Sequence, residues 1–393
     1  MSRFGERFRN YIQTSKEVKM RIGSFTVTRF GILCFGLVLL VAIVLIPIVI
    51  ALGNRTKGLT YALADVVPGY SYRMKNDRIS YRTEDRVYTY DCVNDVSAYY
   101  PLGLIEGYDS SDTMTVVYYG SQFQIQGNKE AMSLSAGTII GVRAGKNYAA
   151  LLYRIPSADR DERFIQVIDR EMHAVNRISF KDSDVVAFDF LDAGTTELLW
   201  VSTMDVGQFT EESIVRIYDC GKDVTMIHYT APFYNQAIYN LYLSDRCLFM
   251  VGTQSIIRYD REDDGFSAER DRIRVYGSTV VDFYSAGESA YFIALPVAAE
   301  GEENSLVRLI TVSQSDDLWS NVMQKYMPSP VVGAFLFNQS ICVFTHEFFL
   351  QYGFSGKQLA DIELSDVPTA VFRYGDDGFF LVTDQTCRRV TLS

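Results

Sequence analysis

Hydrophobic and polar positions alternate along most of the chain in short runs of five to eight residues, the period of half-buried strands rather than of helices. One unit recurs: an apolar strand running to a Thr, a tight polar turn, then a strand ending in Tyr. In RISYRTEDRVYTYD, Thr83 precedes Tyr90 by seven residues, and in MVGTQSIIRYD, Thr253 precedes Tyr259 by six. VFTHEFFLQYG sets Thr345 seven before Tyr352, and LVTDQTCRRV sets Thr383 seven before Val390. Looser copies lie in YYGSQFQIQG, in ALLYR with RFIQVID, in LLWVST with SIVRIYD, and in YFIAL with SLVRLITV. Ahead of six of these units stands a further apolar segment: TIIGVR, VVAFDF, AIYNLYL, TVVDFY, VVGAFLF and TAVFRY. Turns rich in Gly and Asp, such as DAGTTE, SAGES and YGDDGFF, separate strands within the repeats.

A supersecondary repeat of about 40–50 residues, each copy supplying four short strands, is the signature of radially stacked sheets. The repeat therefore predicts an all-β chain, a β-propeller of seven or eight blades, closed by pairing a strand near Val390 with one after Leu59. Two packed sheets would not need so regular a repeat, and a β-helix would repeat at about half that length.

One segment breaks the alternation. Between Arg29 and Arg55, 25 residues carry no charge and are rich in Leu, Ile and Val. At about 1.5 Å per residue such a run is long enough for a helix to cross a bilayer core of roughly 30 Å. The reading is one transmembrane helix at 30–53, a basic cytoplasmic tail at 1–29, a linker at 54–70 and an extracytoplasmic propeller at 71–393. Charge supports this orientation: residues 1–29 hold seven basic residues against two acids, +5, leaving −16 for the remainder of a chain whose total is −11. A cleaved signal peptide is the rival, with Ala51 and Gly53 as small residues before Asn54, but the apolar run exceeds the usual length. Cys34 lies at the start of the run, which does not fit a bacterial lipid-anchor site. Phe4, Phe8, Tyr11 and Ile12 fall at the spacing of an amphipathic helix on an anionic leaflet.

The acidic body disfavours nucleic-acid partners, since it repels phosphate backbones. Five cysteines follow the apolar run, Cys92, Cys220, Cys247, Cys342 and Cys387, without a CxxC pair. Their odd number and scatter suit packing residues, with Cys247 and Cys342 at equivalent places in two repeats. No phosphate loop, hydrolase elbow or dinucleotide fingerprint is present, and no cofactor is implied. GFSGK at 353–357 falls in a strand-to-strand turn. His173, His228 and His346 lie on different repeats, and His346 alone is expected in a loop at a blade's top. Asp260, Glu262, Asp264, Gly265 and Asp271 partly imitate a calcium loop, but the spacing better suits an outer hairpin turn.

Candidate binding residues come from three lengthened turns, each after a blade's second strand: 155–164, 203–213 and 295–305. Such turns open on one face, so Asp159, Asp161, Glu162, Asp205, Glu211, Glu212, Glu300, Glu302 and Glu303 are expected on one rim, with His346. Their field would draw basic partners. The basic tail, single apolar run and Tyr-Asp-ended repeats together resemble uncharacterised single-span propeller proteins of Gram-positive bacteria. In fold the repeats also resemble outer-membrane assembly propellers and quinoprotein dehydrogenases. The resemblance implies a membrane-tethered module that binds or scaffolds an envelope protein or polymer. Two other classes remain open: an enzyme of glycan or quinone chemistry in the propeller channel, and a single-span sensor.

Overall fold

The computed structural model describes residues 19–22, 25–28 and 58–392, apart from short stretches at 65, 76, 102–104, 129, 181–182, 195, 207–210, 221–223, 231, 263–264, 299–302, 315–318, 338 and 376–377. Two compact units result, Met1–Lys57 and Gly58–Ser393. In the first, Lys19–Ile22 pairs antiparallel with Phe25–Thr28.

The second unit is an eight-bladed β-propeller in which each blade is an antiparallel sheet, and in seven of them the strands follow chain order outward. Blade 1 comprises Tyr70–Lys75, Arg78–Arg82, Arg86–Asp91 and Val96–Pro101, and blade 2 comprises Gly107–Ser110, Thr115–Tyr119, Gln122–Ile125 and Met132–Ser133. Blade 3 runs from Thr138–Ala144 to Ala174–Phe180, and blade 4 from Asp184–Asp192 to Thr225–Tyr229, with Phe233–Tyr234 added to its third strand. Blade 5 spans Ile238–Leu243 to Gly265–Arg274, blade 6 Ser278–Ala286 to Trp319–Tyr326, and blade 7 Val331–Phe337 to Gln358–Glu363. Blade 8 takes Ala370–Tyr374, Gly378–Val382 and Cys387–Leu392 from the C-terminus and its outermost strand, Leu59–Leu63, from the start of the unit. The register Leu59↔Leu392 through Leu63↔Arg388 closes the ring where the sequence places the closure.

The Thr-to-Tyr units are the second and third strands of the blades, and the six preceding apolar segments are innermost strands. The Thr hydroxyl works in the turn. Thr345 Oγ1 accepts the Phe348 amide at 2.9 Å and donates to the Phe348 carbonyl at 3.1 Å, and Thr383 Oγ1 does the same with Thr386 at 3.0 and 3.1 Å. This hydroxyl satisfies backbone groups that a tight turn would leave unpaired. The closing Tyr fills the layer between blades. Tyr90 packs on Phe380 of blade 8 with ring centroids 5.4 Å apart, Tyr352 joins the layer with blade 6, and Tyr259 the layer with blade 4.

Eight hydrophobic layers result, one at each junction of successive blades. An open arc of eight blades would have only seven, so the core itself is circular. The junction of blades 1 and 2 is the thinnest: Val87, Tyr108 and Val117 are its only fully buried members among the described residues, against thirteen between blades 2 and 3.

Cys92, Cys220, Cys247, Cys342 and Cys387 are all buried, and burial pushes the Cys220 and Cys387 thiols up to about 12. Cys247 and Cys342 are not equivalent. Cys247 pairs with Asp260 beside Tyr259, whereas Cys342 pairs with Gln351, two residues deeper into its strand; the counterpart of Cys247 is Ser340, opposite Gly353. Cys92 and Cys220 do correspond, each following a Tyr-Asp end and donating its amide to a carbonyl at the head of its blade's second strand, at Asp77 and Glu197.

The transmembrane helix expected ahead of the propeller is not upheld. No helix among the described residues is long and apolar enough to cross a membrane, and the regular elements described are strands throughout. The apolar run at 30–53 lies outside the described residues, as does the amphipathic pattern at 4–12. The single-pass topology, the membrane partner, the cytoplasmic N-terminus and the extracytoplasmic placement all rested on that helix, and they are withdrawn with it. Hydropathy reports that a segment prefers to leave water, not what shelters it. The strand Leu59–Leu63 lies within the span read as a linker and belongs to blade 8.

Candidate functional site

Three features of the ring could carry function: the turns on one face, the central channel, and a crevice beside the thin junction. The face is fixed by topology. Second-to-third turns and blade-to-blade connections share one side, and first-to-second and third-to-fourth turns share the other. The lengthened turns of blades 3 and 6, the end of the blade 4 hairpin and the tight turn holding His346 in blade 7 therefore lie on a common face; in blade 4 the expected insertion at 203–213 is instead largely paired strand, Thr203–Val206 against Glu211–Ile214. Asp159, Asp205, Glu211 and Glu303 are exposed there, and Asp161, Glu162, Glu212 and His346 are half-buried. Glu300 and Glu302 lie outside the described residues.

The acids of that face are not all unopposed. Asp161 lies 3.6 Å from Arg154, while Arg160 and Arg163 both reach Asp184 at the start of blade 4. Asp205 stands opposite Glu212 across the ladder of blade 4. Blades 3 and 4 are neighbours, but blade 5, whose corresponding turn between Gly252 and Ser255 is short, separates them from blade 6.

In the channel, the inner edge of each innermost strand has no further strand to pair with. Side chains from other inner strands supply partners instead. Asp109 of blade 2 accepts the Ala144 amide of blade 3 at 2.8 Å, and Asp282 of blade 6 accepts the Leu336 amide of blade 7 at 2.7 Å. The Val280 amide donates to the Tyr239 hydroxyl of blade 5 at 3.0 Å, and Arg373 of blade 8 donates to the Leu336 carbonyl. Lys75 reaches from blade 1 to the Ala144 carbonyl at 2.8 Å and to Asp189 of blade 4 at 2.7 Å.

Burial raises the Asp109 carboxyl, and so does the nearby Asp189, against the opposing pull of Lys75 and Arg143. Desolvation raises Asp282 as well, opposed by Arg373. A cavity of about 800 Å³ opens among Asp77, Asp112, Asp282 and Arg373 on the side of the first-to-second turns. Bulges in the inner strands add residues that face solvent. The register skips Ile140, Val186 and Val281, each 40–42% exposed. Of these, Val281 lines the cavity and gives it an apolar edge beside its charges.

Sequence reasoning did not find these channel groups, because the Lys75–Asp189 contact joins residues 114 apart and exists only once the ring closes. The calcium-like run is an outer turn between the third and fourth strands of blade 5. Asp260 is held by Arg270 at 3.0 Å and Asp271 by Arg258 at 2.6 Å, and Asp264 lies outside the described residues. GFSGK forms the corresponding turn of blade 7. His173 lies in such a turn of blade 3, 3.2 Å from Asp169, and His228 sits within the fourth strand of blade 4, where burial lowers its pKa.

No family model matches the sequence, and no curated protein does. Solved structures do. BamB from Moraxella catarrhalis is 9% identical with a TM-score of 0.54, covering 85% of this chain and 97% of that one. Saccharomyces cerevisiae Sqt1 is 8% identical with a TM-score of 0.53, covering 86% and 99%. The WD40 domain of SCAP from fission yeast is 9% identical with a TM-score of 0.53, covering 85% and 98%. Likeness at this identity establishes the propeller fold alone. The resemblance to single-span propellers of Gram-positive bacteria is not upheld, since no family model carries it and the matched structures share the ring rather than an anchor.

Proposed function

We propose that the protein is a binding or scaffolding module that engages a basic protein or polymer through the face carrying the second-to-third turns. One observation carries this reading: on that face the second-to-third hairpins of blades 3, 4 and 6 extend beyond the others, as longer turns in blades 3 and 6 and as longer paired strands in blade 4, and they present exposed acids. Loops fixed on a rigid frame are where a repeat fold gains recognition without disturbing its core. Membrane tethering forms no part of this proposal. The enzyme reading draws no support from the channel carboxylates: Asp109 and Asp282 each accept a backbone amide of the next blade, and Asp189 is engaged by Lys75.

The test is affinity capture with the full chain, comparing wild type with a variant carrying Asp159→Asn, Asp205→Asn, Glu211→Gln and Glu303→Gln. Wild type is expected to retain basic partners that the variant loses, with retention falling as salt rises. An identical captured set from both proteins would overturn the proposal.

A further inference from the structure

We infer that the crevice beside the junction of blades 1 and 2 is a binding site for an oxyanion, the carboxylate or phosphate group of a small molecule. The crevice measures about 360 Å³ and opens on the face of the second-to-third turns, with three arginines in its wall: Arg73, Arg82 and Arg143. In a chain of net charge −11, one hollow is lined by three arginines, whose planar forks match the oxygens of carboxylate and phosphate.

Their local partners leave this charge largely uncompensated. Arg73 stands 3.4 Å from Asp109, a loose contact to a buried carboxyl that its surroundings bias toward the neutral form. Arg143 donates to the Val142 carbonyl at 2.9 Å, and its guanidinium lies 5.2 Å from the centre of the Phe188 ring. Neither contact cancels a charge. Arg82 lies in the same wall at the end of the second strand of blade 1, beside the turn. The crevice's acid, Glu106, is exposed and its Oε2 accepts the Gly120 amide at 3.1 Å.

Other features shape the hollow for a ligand with both charged and apolar parts. Ser71 adopts φ 57°, a conformation that costs a residue with a Cβ about 1–2 kcal/mol. It is held by the Tyr108 hydroxyl, which donates to its carbonyl at 2.7 Å. Strain of this kind concentrates where a structure positions a ligand. The Tyr118 ring occupies the space that a Cβ on Gly107 would need, 2.4 Å away, so glycine there lets the ring form part of the wall. Burial pushes the Tyr118 phenol up, which keeps it a hydrogen-bond donor at neutral pH.

The experiment is calorimetric titration of the full chain with inorganic phosphate and, separately, citrate, at low ionic strength. At least one anion is expected to bind, and Arg82→Gln and Arg143→Gln are each expected to weaken it by about tenfold or more, the scale of a lost charge-assisted pair. Circular dichroism confirms that each variant folds, and if one does not, the other decides. Binding of phosphate alone or of citrate alone would support the site and identify its oxyanion. The variant with neutralised acidic turns is expected to retain anion binding, which separates this site from the proposed partner surface. No binding of either anion at ~10 mM, far weaker than a formed site would give, or equal binding by wild type and both arginine variants, would overturn the inference.

Discussion

Asp109 shows how a single residue serves the ring at a cost. Its carboxyl is buried and accepts the Ala144 amide, so it joins blade 2 to blade 3 where no further strand can. That position disfavours the charged form, through desolvation first and then the proximity of Asp189, while Lys75, Arg143 and the Ala144 amide act in the opposite sense. A carboxyl raised above its ordinary 3.8 adds most to folding stability below that value, and this contribution is lost as pH rises through the folded-state pKa. In urea unfolding, the stability of wild type relative to Asp109→Asn is therefore expected to decline as pH rises above about 4. Asp109→Ala, which orphans the Ala144 amide, should cost about 1–3 kcal/mol more than Asp109→Asn. A relative stability that rises with pH would show that the charged form is the favoured one.

At the scale of the element, the turn between second and third strands is where local sequence and fold agree most closely. Thr345 Oγ1 serves the Phe348 amide and carbonyl and accepts the Ser329 hydroxyl at 2.7 Å. Thr345→Ala is expected to cost about 1–2 kcal/mol in denaturant unfolding and Thr345→Ser much less, since serine keeps the hydroxyl. Equal losses would assign the effect to the methyl group's packing instead. This chemistry repeats in Thr83 and Thr383, which is why the central hairpins were legible in the sequence. Innermost strands were legible through their apolar runs, though their bulges were not. The fourth strands left no such signature: Gln358–Glu363 and Ala174–Phe180 lie at the rim, mostly exposed or half-exposed, and nothing forces a pattern on them. The lengthened acidic turns were visible as insertions into the repeat. The arginine crevice was not, because Arg73, Arg82 and Arg143 belong to three strands of two different blades and meet only in the folded ring.

At the scale of the molecule, the account depends on closure. Each blade buries its faces against two neighbours, so the eight layers support one another around the ring, and none is a centre from which the rest extends. The apolar run at 30–53 was the reading that failed, and its failure is instructive: length and hydropathy described that segment's preference without reference to the propeller, whose repeat was read from relations between segments. Blade 8 completes the ring by joining Leu59–Leu63 to Cys387–Leu392, strands from opposite ends of the unit.

Thr60 and Thr391 face each other in that pairing. Directly paired residues of antiparallel strands have Cα atoms about 4.5–5.5 Å apart, within reach of a disulfide. The full chain carrying Thr60→Cys and Thr391→Cys, oxidised mildly and digested, should yield a peptide linking residues 60 and 391 within one molecule, with a raised unfolding temperature. Absence of that linked peptide in folded protein, or a link formed only between two molecules, would contradict a ring closed by its own N-terminal strand.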